Sequence, residues 1–186
     1  LYCFIMRMRG LFPLMSVCEG SGFVRIGRKN DGGYVMFDDF EGRKYAYSIG
    51  LADDVSWDRD IASRGLDVYM YDHTIQGLPE KNDRFHFFQI GVRGSTEEGH
   101  PDLQTLEDMM EANGHAEEYG MILKVDVEGA EWSVLNDVEE NTIKRFSQIV
   151  FEFHGLTQLE NREKITTAMK KLNQTHQLVH LHANNY

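Results

Sequence analysis

Residues 121–132 read Met-Ile-Leu-Lys-Val-Asp-Val-Glu-Gly-Ala-Glu-Trp, and this segment indicates the fold class. A short apolar, partly β-branched run bounded by turn residues is typical of a strand buried on both faces, as in a parallel sheet under helices. We therefore predict a strand over 121–127 with Lys124 buried inside it. Asp126 and Glu128 lie at its carboxyl end, where open α/β sheets bind ligands. The alternative is an ordinary acidic turn at the surface.

Length and charge limit the kinds of protein that this chain can be. With 186 residues, 41% of them hydrophobic, the chain fits a single domain over 1–186 with a full core. Its 19 Lys and Arg against 30 Asp and Glu give a net charge of −11. That charge opposes binding to nucleic-acid phosphates or anionic lipid, so we expect neither as a partner.

The cysteines and the N-terminal residues bear on where in the cell the protein is expected. Cys3 and Cys18 form neither a CxxC motif nor a zinc-ligand spacing, which fits a reducing compartment and favours a cytoplasmic protein. The apolar start, residues 1–15, is interrupted by Arg, Gly and Pro and is too short to span a bilayer. We expect no membrane span in this chain.

Strand and helix patterns alternate along most of the sequence. The N-terminal part, 1–44, contains a predicted β-hairpin with strands at 24–28 and 34–37 around a turn of Asn, Asp and Gly. An α/β core over 45–186 follows, with strands predicted at 45–49, 67–71, 85–90, 121–127, 148–153 and 177–181, and helices at 55–64 and 103–112. This alternation indicates βαβ units and a parallel sheet. A capping box at 157–160 predicts a further helix that places Ile165, Met169 and Leu172 on one face.

The turn after the first core strand indicates the kind of ligand. It contains one glycine, Gly50, ahead of a helix that Asp53 or Asp54 would cap. The dinucleotide fingerprint G-x-G-x-x-G is absent, and an acidic helix start would repel a pyrophosphate. The turn therefore argues against NAD and for a ligand that carries an amine.

Asp72 follows the second core strand, about 20 residues beyond Gly50. An acidic side chain at this place can accept hydrogen bonds from both hydroxyls of a ribose. The alternative is a turn or helix-capping aspartate, which is the commoner role for a lone Asp after a strand. Because Gly50 ends the preceding strand, we predict the ribose role for Asp72.

These segments resemble the FkbM-type branch of the class I methyltransferases that use S-adenosylmethionine. The resemblance is carried by 47–50, 54–57, 71–72, 123–131 and the hairpin turn 30–34, which is similar to a turn in sugar- and capsule-modifying members. It covers 25–182 and implies a Rossmann-like, mostly parallel sheet of seven strands with helices on both faces. It also implies methyl transfer to an oxygen of a carbohydrate or a carbohydrate-linked small molecule. Because the chain ends at Tyr186, soon after the predicted sixth strand, we expect strand seven to be missing from it.

The resemblance implies roles for particular residues. Gly50 would lie against the methionine part of the cofactor, Asp72 would hold the ribose, and Gly91 would face the adenine. Asp126 would lie near the reacting centre. The implied cofactor-binding residues are Ser48, Gly50, Leu51, Asp54, Asp72, His73, Gly91 and Asp126.

Two neighbouring strand ends predict the catalytic residues. Alternation places Lys124 and Asp126 on one face of their strand, and it places Glu152 and His154 on one face of the next. If these faces coincide, Lys124 and Glu152 form a buried ion pair. Asp126 then lies opposite His154 at the cleft. We predict His154 as the general base for the acceptor hydroxyl, oriented by Asp126 or Glu128; the alternative is a histidine that only ends the strand.

A divalent metal ion is a further expectation. Histidines at 180 and 182 repeat the two-residue spacing on the predicted last strand. Imidazole and carboxylate groups together can hold such an ion. Its ligands would come from Asp126, Glu128, His154, His180 and His182.

Two other classes of protein remain open. A catalytically silent binding module can have this fold, and a missing strand seven favours it mildly. A dehydrogenase is disfavoured by the missing glycines. A missing strand seven would also leave sheet edges open, which favours self-association into a homo-oligomer.

Overall fold

The computed structural model describes residues 22–29 and 31–182. The predictions made for the apolar N-terminal start and for Cys3 and Cys18 fall outside the described residues, as does Asn30 of the hairpin turn. None of the helices in the described residues combines the length and the apolar character that a membrane span requires.

Strands and helices alternate in the described part of the chain. The strands are β1 (Phe23–Ile26), β2 (Tyr34–Phe37), β3 (Tyr45–Ile49), β4 (Asp67–Tyr71), β5 (Phe85–Phe88), β6 (Gly91–Val92), β7 (Leu103–Gln104), β8 (Met121–Val125) and β9 (Phe146–Phe151). The helices are α1 (Ser56–Ser63), α2 (Leu106–Ala112), α3 (Glu131–Asp137), α4 (Glu140–Ile143) and α5 (Arg162–Thr175), with a 3₁₀ turn at Leu159–Asn161.

The centre of the fold is a parallel sheet in the order β5-β4-β3-β8-β9. All five residues of β8 are buried, as expected of a strand covered on both faces. β1 and β2 form an antiparallel hairpin ahead of this sheet. The predicted α/β class, the mostly parallel sheet and the preceding hairpin are confirmed.

Apolar residues cover the two faces of the sheet in separate clusters. On one face, the hairpin and α1 contribute Ile26, Trp57 and Ile61. On the other face, α2, α3 and α5 contribute side chains such as Trp132 and Ile165. The predicted placement of helices on both faces is therefore confirmed.

The strand order places a crevice between β3 and β8. From β3 the chain proceeds outward to β4 and β5, and it then returns to the other side of β3 to form β8 and β9. The loops that leave β3 and β8 therefore run in opposite directions. Ligands of open α/β sheets bind at such a reversal, outside the carboxyl ends of the strands.

One side chain attaches the hairpin to the edge strand of the sheet. The amide of Gln148 on β9 accepts a hydrogen bond from Phe37 N at 3.0 Å and donates to Phe37 O at 3.2 Å. It thereby pairs with the backbone of β2 as a neighbouring strand would. This contact holds the hairpin beside β9.

Two predicted helix starts are wrong. The helix predicted from residue 103 begins at Leu106, because Leu103–Gln104 pairs with β6 and Thr105 forms a capping box with Asp108. The helix predicted from the 157–160 box begins at Arg162 without a side-chain cap. Residues 155–161 instead form turns, in which Gln158 N donates to Gly155 O at 3.0 Å.

The predicted strand at 177–181 is also wrong, since residues 176–182 form no strand. An extended segment becomes a strand only when its backbone pairs with a neighbour. In the described part of the chain β9 pairs with β8 alone. Of the seven strands implied by the resemblance, the central sheet contains five within the described residues.

Candidate functional site

A cleft of about 350 Å³ lies at the carboxyl ends of β3, β4 and β8. Three turns line it, at 50–54, 72–74 and 126–128, and the hairpin turn borders it through Asp31 and Gly32. Its volume lies within the range of small-molecule sites. The position is the one predicted from the strand order.

Gly50 brings the β3 turn against the end of β8. Its φ is +82°, and a Cβ built on it would lie 1.7 Å from Asp126 O, so no other residue fits without a backbone shift. Gly50 N donates to Tyr71 O at 2.9 Å, and Gly50 O accepts from Lys124 Nζ at 2.6 Å. The lack of a side chain at Gly50 therefore lets the β3 turn pack directly against the backbone at Asp126.

Asp72 lies at the end of β4, and its carboxylate is already hydrogen-bonded within the protein. One oxygen accepts from the N–H groups of Leu51 at 2.8 Å and Ala52 at 3.0 Å. The other accepts from Thr74 N at 2.7 Å and Thr74 Oγ1 at 2.6 Å. Burial works to raise the pKa of Asp72, but these hydrogen bonds outweigh it and lower the pKa. A carboxylate has about four acceptor positions, so a ribose would have to displace some of these donors.

Four further predicted cofactor residues line the cleft, namely Leu51, Asp54, His73 and Gly91. Gly91 lies against His73, because a Cβ built on it would be 2.4 Å from His73 Nδ1. Asp54 accepts from Ser56 N at 3.0 Å at the start of α1, and it is 3.1 Å from Arg28 Nε. The predicted acidic cap is therefore present one residue ahead of the assigned helix N-cap, Val55.

Ser48 is fully buried and does not line the cleft, unlike the other predicted cofactor residues. It lies near Asp58 of α1, which is also fully buried. Burial raises the pKa of Asp58, whereas the charge of Lys124 and the hydroxyl of Ser48 act to lower it. A buried acid and a nearly buried lysine therefore lie together beneath the Gly50 turn. Asp58 was not among the residues predicted from the sequence.

The predicted register between β8 and β9 is wrong by two residues. Lys124 pairs with Val150 and Val125 pairs with Phe151, while Glu152 N donates to Val125 O at 3.0 Å. Glu152 therefore lies beside Asp126, where His154 was expected. Lys124 does not stand opposite Glu152, and it donates to Gly50 O instead.

Tyr34 of the hairpin contacts both of these carboxylates. Its hydroxyl donates to Asp126 Oδ2 at 3.0 Å and lies 3.4 Å from Glu152 Oε2. Burial, reinforced by the charges of Asp126 and Glu152, raises the pKa of Tyr34, so the hydroxyl stays protonated and donates. Tyr34 was not predicted as a site residue, because every residue of β2 is apolar or aromatic and the local pattern does not distinguish it from its neighbours.

His154 is held by Glu131, a residue for which no role was predicted. Glu131 is fully buried, and its Oε1 accepts from His154 N at 2.5 Å and lies 3.2 Å from His154 Nδ1. The other imidazole nitrogen, Nε2, is 3.7 Å from Glu128 Oε2. Glu128 has a positive φ of 48°, a strained conformation for a non-glycine residue, and lines the cleft with a largely exposed side chain. His154 itself is not among the residues that line the cleft, and Glu131 rather than Asp126 orients its ring.

The structure brings together three groups that could hold a metal ion, from Asp126, Glu152 and His154. One potential ligand atom of each lies within 4.8 Å of the others. In the described part of the chain, Glu128, His180 and His182 are not members of this group. The predicted ligand set is thus only partly assembled, and Glu152 is the member that the sequence did not propose.

Acidic residues outnumber basic residues in the walls of the cleft. The basic residues that line it are Arg28 and Lys124, and both already contact protein oxygens, Arg28 at Asp54 and Lys124 at Gly50 O. Such walls favour a ligand that carries positive charge and disfavour an anionic one. A ligand with an amine and a sulfonium fits this environment.

The parallel sheet, the glycine turn and the acidic cleft at the strand reversal define a Rossmann-like α/β domain of the class I methyltransferase type. Residues 68–182, well over half of the chain, match the family described as Methyltransferase FkbM domain, and the chain belongs to this family. The sequence-based resemblance is therefore confirmed. The matched range begins within β4, so the hairpin and the Gly50 turn precede it.

Two curated relatives match the chain over 118 residues. The human "Probable methyltransferase-like protein 24" is 28% identical, and the protein of the same name from Rattus norvegicus is 27% identical. Each match covers 58% of this chain and 32% of the relative, so the chain spans about a third of the length of these relatives. No solved structure matches the chain.

Proposed function

We propose that this chain is an S-adenosylmethionine-dependent methyltransferase that methylates a hydroxyl oxygen of a carbohydrate or a carbohydrate-linked small molecule. Family membership supports methyl transfer. The observation that carries the proposal is the acidic cleft at the β3–β8 reversal, closed on one side by the Gly50 turn. A cationic methyl donor suits those walls better than a pyrophosphate-bearing cofactor does.

The cofactor would be held by the turns that line the cleft. The methionine part would lie along Gly50 and Leu51, with Asp54 near its amine. The ribose would be held by Asp72, and His73 and Gly91 would border the adenine. When bound, S-adenosylmethionine supplies the methyl group, whose bond to sulfur breaks with its electron pair staying on the sulfur.

His154 would accept the proton of the acceptor hydroxyl in the ion-free protein. Its Nδ1 lies 3.2 Å from Glu131, which leaves Nε2 with a lone pair on the side of Glu128. Asp126 and Glu128 would hold the acceptor so that its oxygen meets the methyl carbon in line, and much of the rate gain would come from that alignment.

An uncharged, hydroxyl-rich acceptor fits the site best. Carboxylates at 126, 128 and 152 can each accept hydrogen bonds from sugar hydroxyls. A phosphorylated acceptor would meet these negative charges without a free basic side chain lining the described cleft. A carbohydrate remains the proposed class, and nucleic acid remains disfavoured by the net charge of −11.

Calorimetric titration with S-adenosylhomocysteine tests this proposal. We expect micromolar binding by the wild-type chain and its loss in Asp72→Ala. Thr74→Val is the matched control, because it removes one donor to Asp72 and keeps the carboxylate. Binding retained in Thr74→Val and lost in Asp72→Ala supports the ribose role. A folded wild-type chain that does not bind would overturn the proposal.

A catalytically silent binding module is the second candidate. The observation that favours it is the engagement of Asp72 with four donors, which leaves little capacity for a ribose. Cofactor binding without turnover on a panel of hydroxylated acceptors would favour this candidate. A reducing, cytoplasmic location and self-association stay predictions from the sequence.

A further inference from the structure

We propose that Asp126, Glu152 and His154 form a binding site for a divalent metal ion at the acceptor side of the cleft. This inference rests on the proposed function, because the ion would lie where the acceptor hydroxyl is expected. One oxygen from each carboxylate and one imidazole nitrogen lie within 4.8 Å of one another. Two oxygens and one nitrogen from three side chains are a common protein share of a divalent site, with the remaining positions open to water or substrate.

The sheet itself sets the spacing of these three residues. Val125 and Phe151 are register partners in neighbouring parallel strands, and Asp126 and Glu152 follow them directly. His154 lies beyond the end of β9, where its main-chain N–H donates to Glu131. Two of the three ligands therefore follow directly from hydrogen-bonded strands, and the third is held by a buried side chain, which favours a fixed geometry.

His154 has the arrangement expected of a metal ligand. A histidine that binds a metal nearly always gives its other ring N–H to a carboxylate or a carbonyl, which fixes the ring. Glu131 provides that carboxylate, 3.2 Å from Nδ1. The backbone of His154 is also fixed, since its N–H donates to Glu131 and its carbonyl accepts from Trp132 Nε1 at 2.8 Å. Nε2 is thereby presented with little freedom to turn away.

The charges at this point favour a cation. Asp126 and Glu152 share the hydroxyl of Tyr34, which has one proton to donate to two carboxylates, at 3.0 and 3.4 Å. Glu128 adds a third negative charge near His154. A divalent ion between Asp126 and Glu152 would offset the repulsion of these two partly buried carboxylates, which is screened less than that of the exposed Glu128.

The ligand set favours an ion that accepts both oxygen and nitrogen donors, and Mn²⁺ is our probe for that class. With bonds of about 2.1 Å, donors on opposite sides of an ion are roughly 4.2 Å apart. Because every pair in this group lies within 4.8 Å, no pair would have to close by more than about 0.6 Å, which side-chain rotation can supply. In the ion-bound protein His154 would serve as a ligand, and in the ion-free protein it would serve as the proton acceptor.

The test is a titration of the chelator-treated wild-type chain with Mn²⁺, in which electron paramagnetic resonance measures the free ion. We expect a single Mn²⁺ per chain. Glu152→Gln and His154→Gln should each weaken the affinity at least about tenfold, as loss of a ligand or its support does elsewhere. Glu163→Gln is the matched control, because Glu163 is exposed in the first turn of α5, and it should bind as the wild type does.

Two results would overturn the metal site. The first is no Mn²⁺ binding by a wild-type chain whose circular dichroism shows it folded. The second is wild-type Mn²⁺ affinity in both ligand variants, which would place the ion elsewhere. Asp126→Asn replaces either variant if one fails to fold. A parallel titration with S-adenosylhomocysteine separates the proposals. Cofactor binding without Mn²⁺ binding removes the metal site alone, and Mn²⁺ binding without cofactor binding removes the methyltransferase proposal alone.

Discussion

The buried carboxylate of Glu131 holds His154 at two points, its main-chain N–H at 2.5 Å and its Nδ1 at 3.2 Å. The second oxygen of Glu131 accepts from Gly129 N at 2.7 Å. One side chain thus joins the turn after β8 to the segment after β9. Because these two segments supply Asp126 and His154, Glu131 sets the distance between the two sides of the candidate acceptor site.

Glu131→Gln should disturb the orientation of His154 without affecting cofactor binding. The amide keeps one acceptor oxygen but turns an N–H₂ toward main-chain N–H donors, so His154 loses its fixed orientation. We expect kcat for methyl transfer to fall about 100-fold, the scale of a lost general base, with little change in S-adenosylhomocysteine affinity. Steady-state kinetics and calorimetry measure the two effects, with Glu163→Gln as the surface control. An unchanged kcat in a folded Glu131→Gln protein would mean that the orientation of His154 is not used in the reaction.

Much of the fold could be predicted from the sequence, because strand patterns are local. The buried run 121–125 and the exact strands 45–49 and 67–71 depend on residues within each segment. The helix carrying Ile165 and Met169 on its buried face was predicted for the same reason. Structure that depends on pairing with another segment of the chain was not predicted correctly. The extended segment 177–181 was expected to pair, and pairing is not a local property.

The candidate site was predicted less fully, and the register error shows why. A shift of two residues between β8 and β9 keeps every side chain on its original face, so alternation cannot distinguish Glu152 beside Lys124 from Glu152 beside Asp126. Tyr34 reaches Asp126 across 92 positions of the chain, and sequence periodicity does not encode such a contact. Glu131 lies within the 121–132 motif and could be seen there. Its contact with His154 depends on how α3 packs against the segment after β9, which the sequence does not show.

Gln148→Leu should loosen the hairpin while leaving the main sheet intact. The leucine has a similar volume but leaves Phe37 N and O without the amide partner that they have at 3.0 and 3.2 Å. Loss of such partly buried hydrogen bonds costs about 1–2 kcal/mol of unfolding free energy. Hydrogen exchange should show faster exchange in the peptide that contains β2 and unchanged exchange in the peptide that contains β8. Gln177→Leu, outside any strand, is the control; equal protection of β2 in both variants would mean that the Gln148 contact does not hold the hairpin.

Burial of His115 should make the fold less stable in mild acid. Its Nδ1 lies 2.9 Å from Tyr47 Oη, and burial lowers its pKa below the ordinary value. The unfolded chain therefore binds a proton at a higher pH than the folded chain. This contribution to stability is complete above the ordinary histidine pKa and is lost as the pH falls through the lowered one. Urea unfolding at pH 7.5 and 5.5 should show that acid lowers the unfolding free energy less in His115→Gln than in wild type. In the exposed control His100→Gln, acid should lower it as much as in wild type. A loss equal to wild type in both variants would contradict this role.

Lys124 and Asp58 should be energetically coupled beneath the Gly50 turn. Lys124 is nearly buried and donates to Gly50 O at 2.6 Å, and its charge opposes the effect of burial on the pKa of Asp58. Lys124→Met alone leaves a buried acid without its cation, so we expect a loss of about 3 kcal/mol of unfolding free energy. Adding Asp58→Leu should recover part of that loss, because removing both charges also removes the unpaired one. Urea denaturation of both single variants and the double variant gives the coupling energy, with the exposed Lys170→Met as control. If the losses of unfolding free energy in the two single variants add up to the loss in the double variant, Lys124 stabilises the turn through Gly50 alone. Asp58 then has no part in holding the turn.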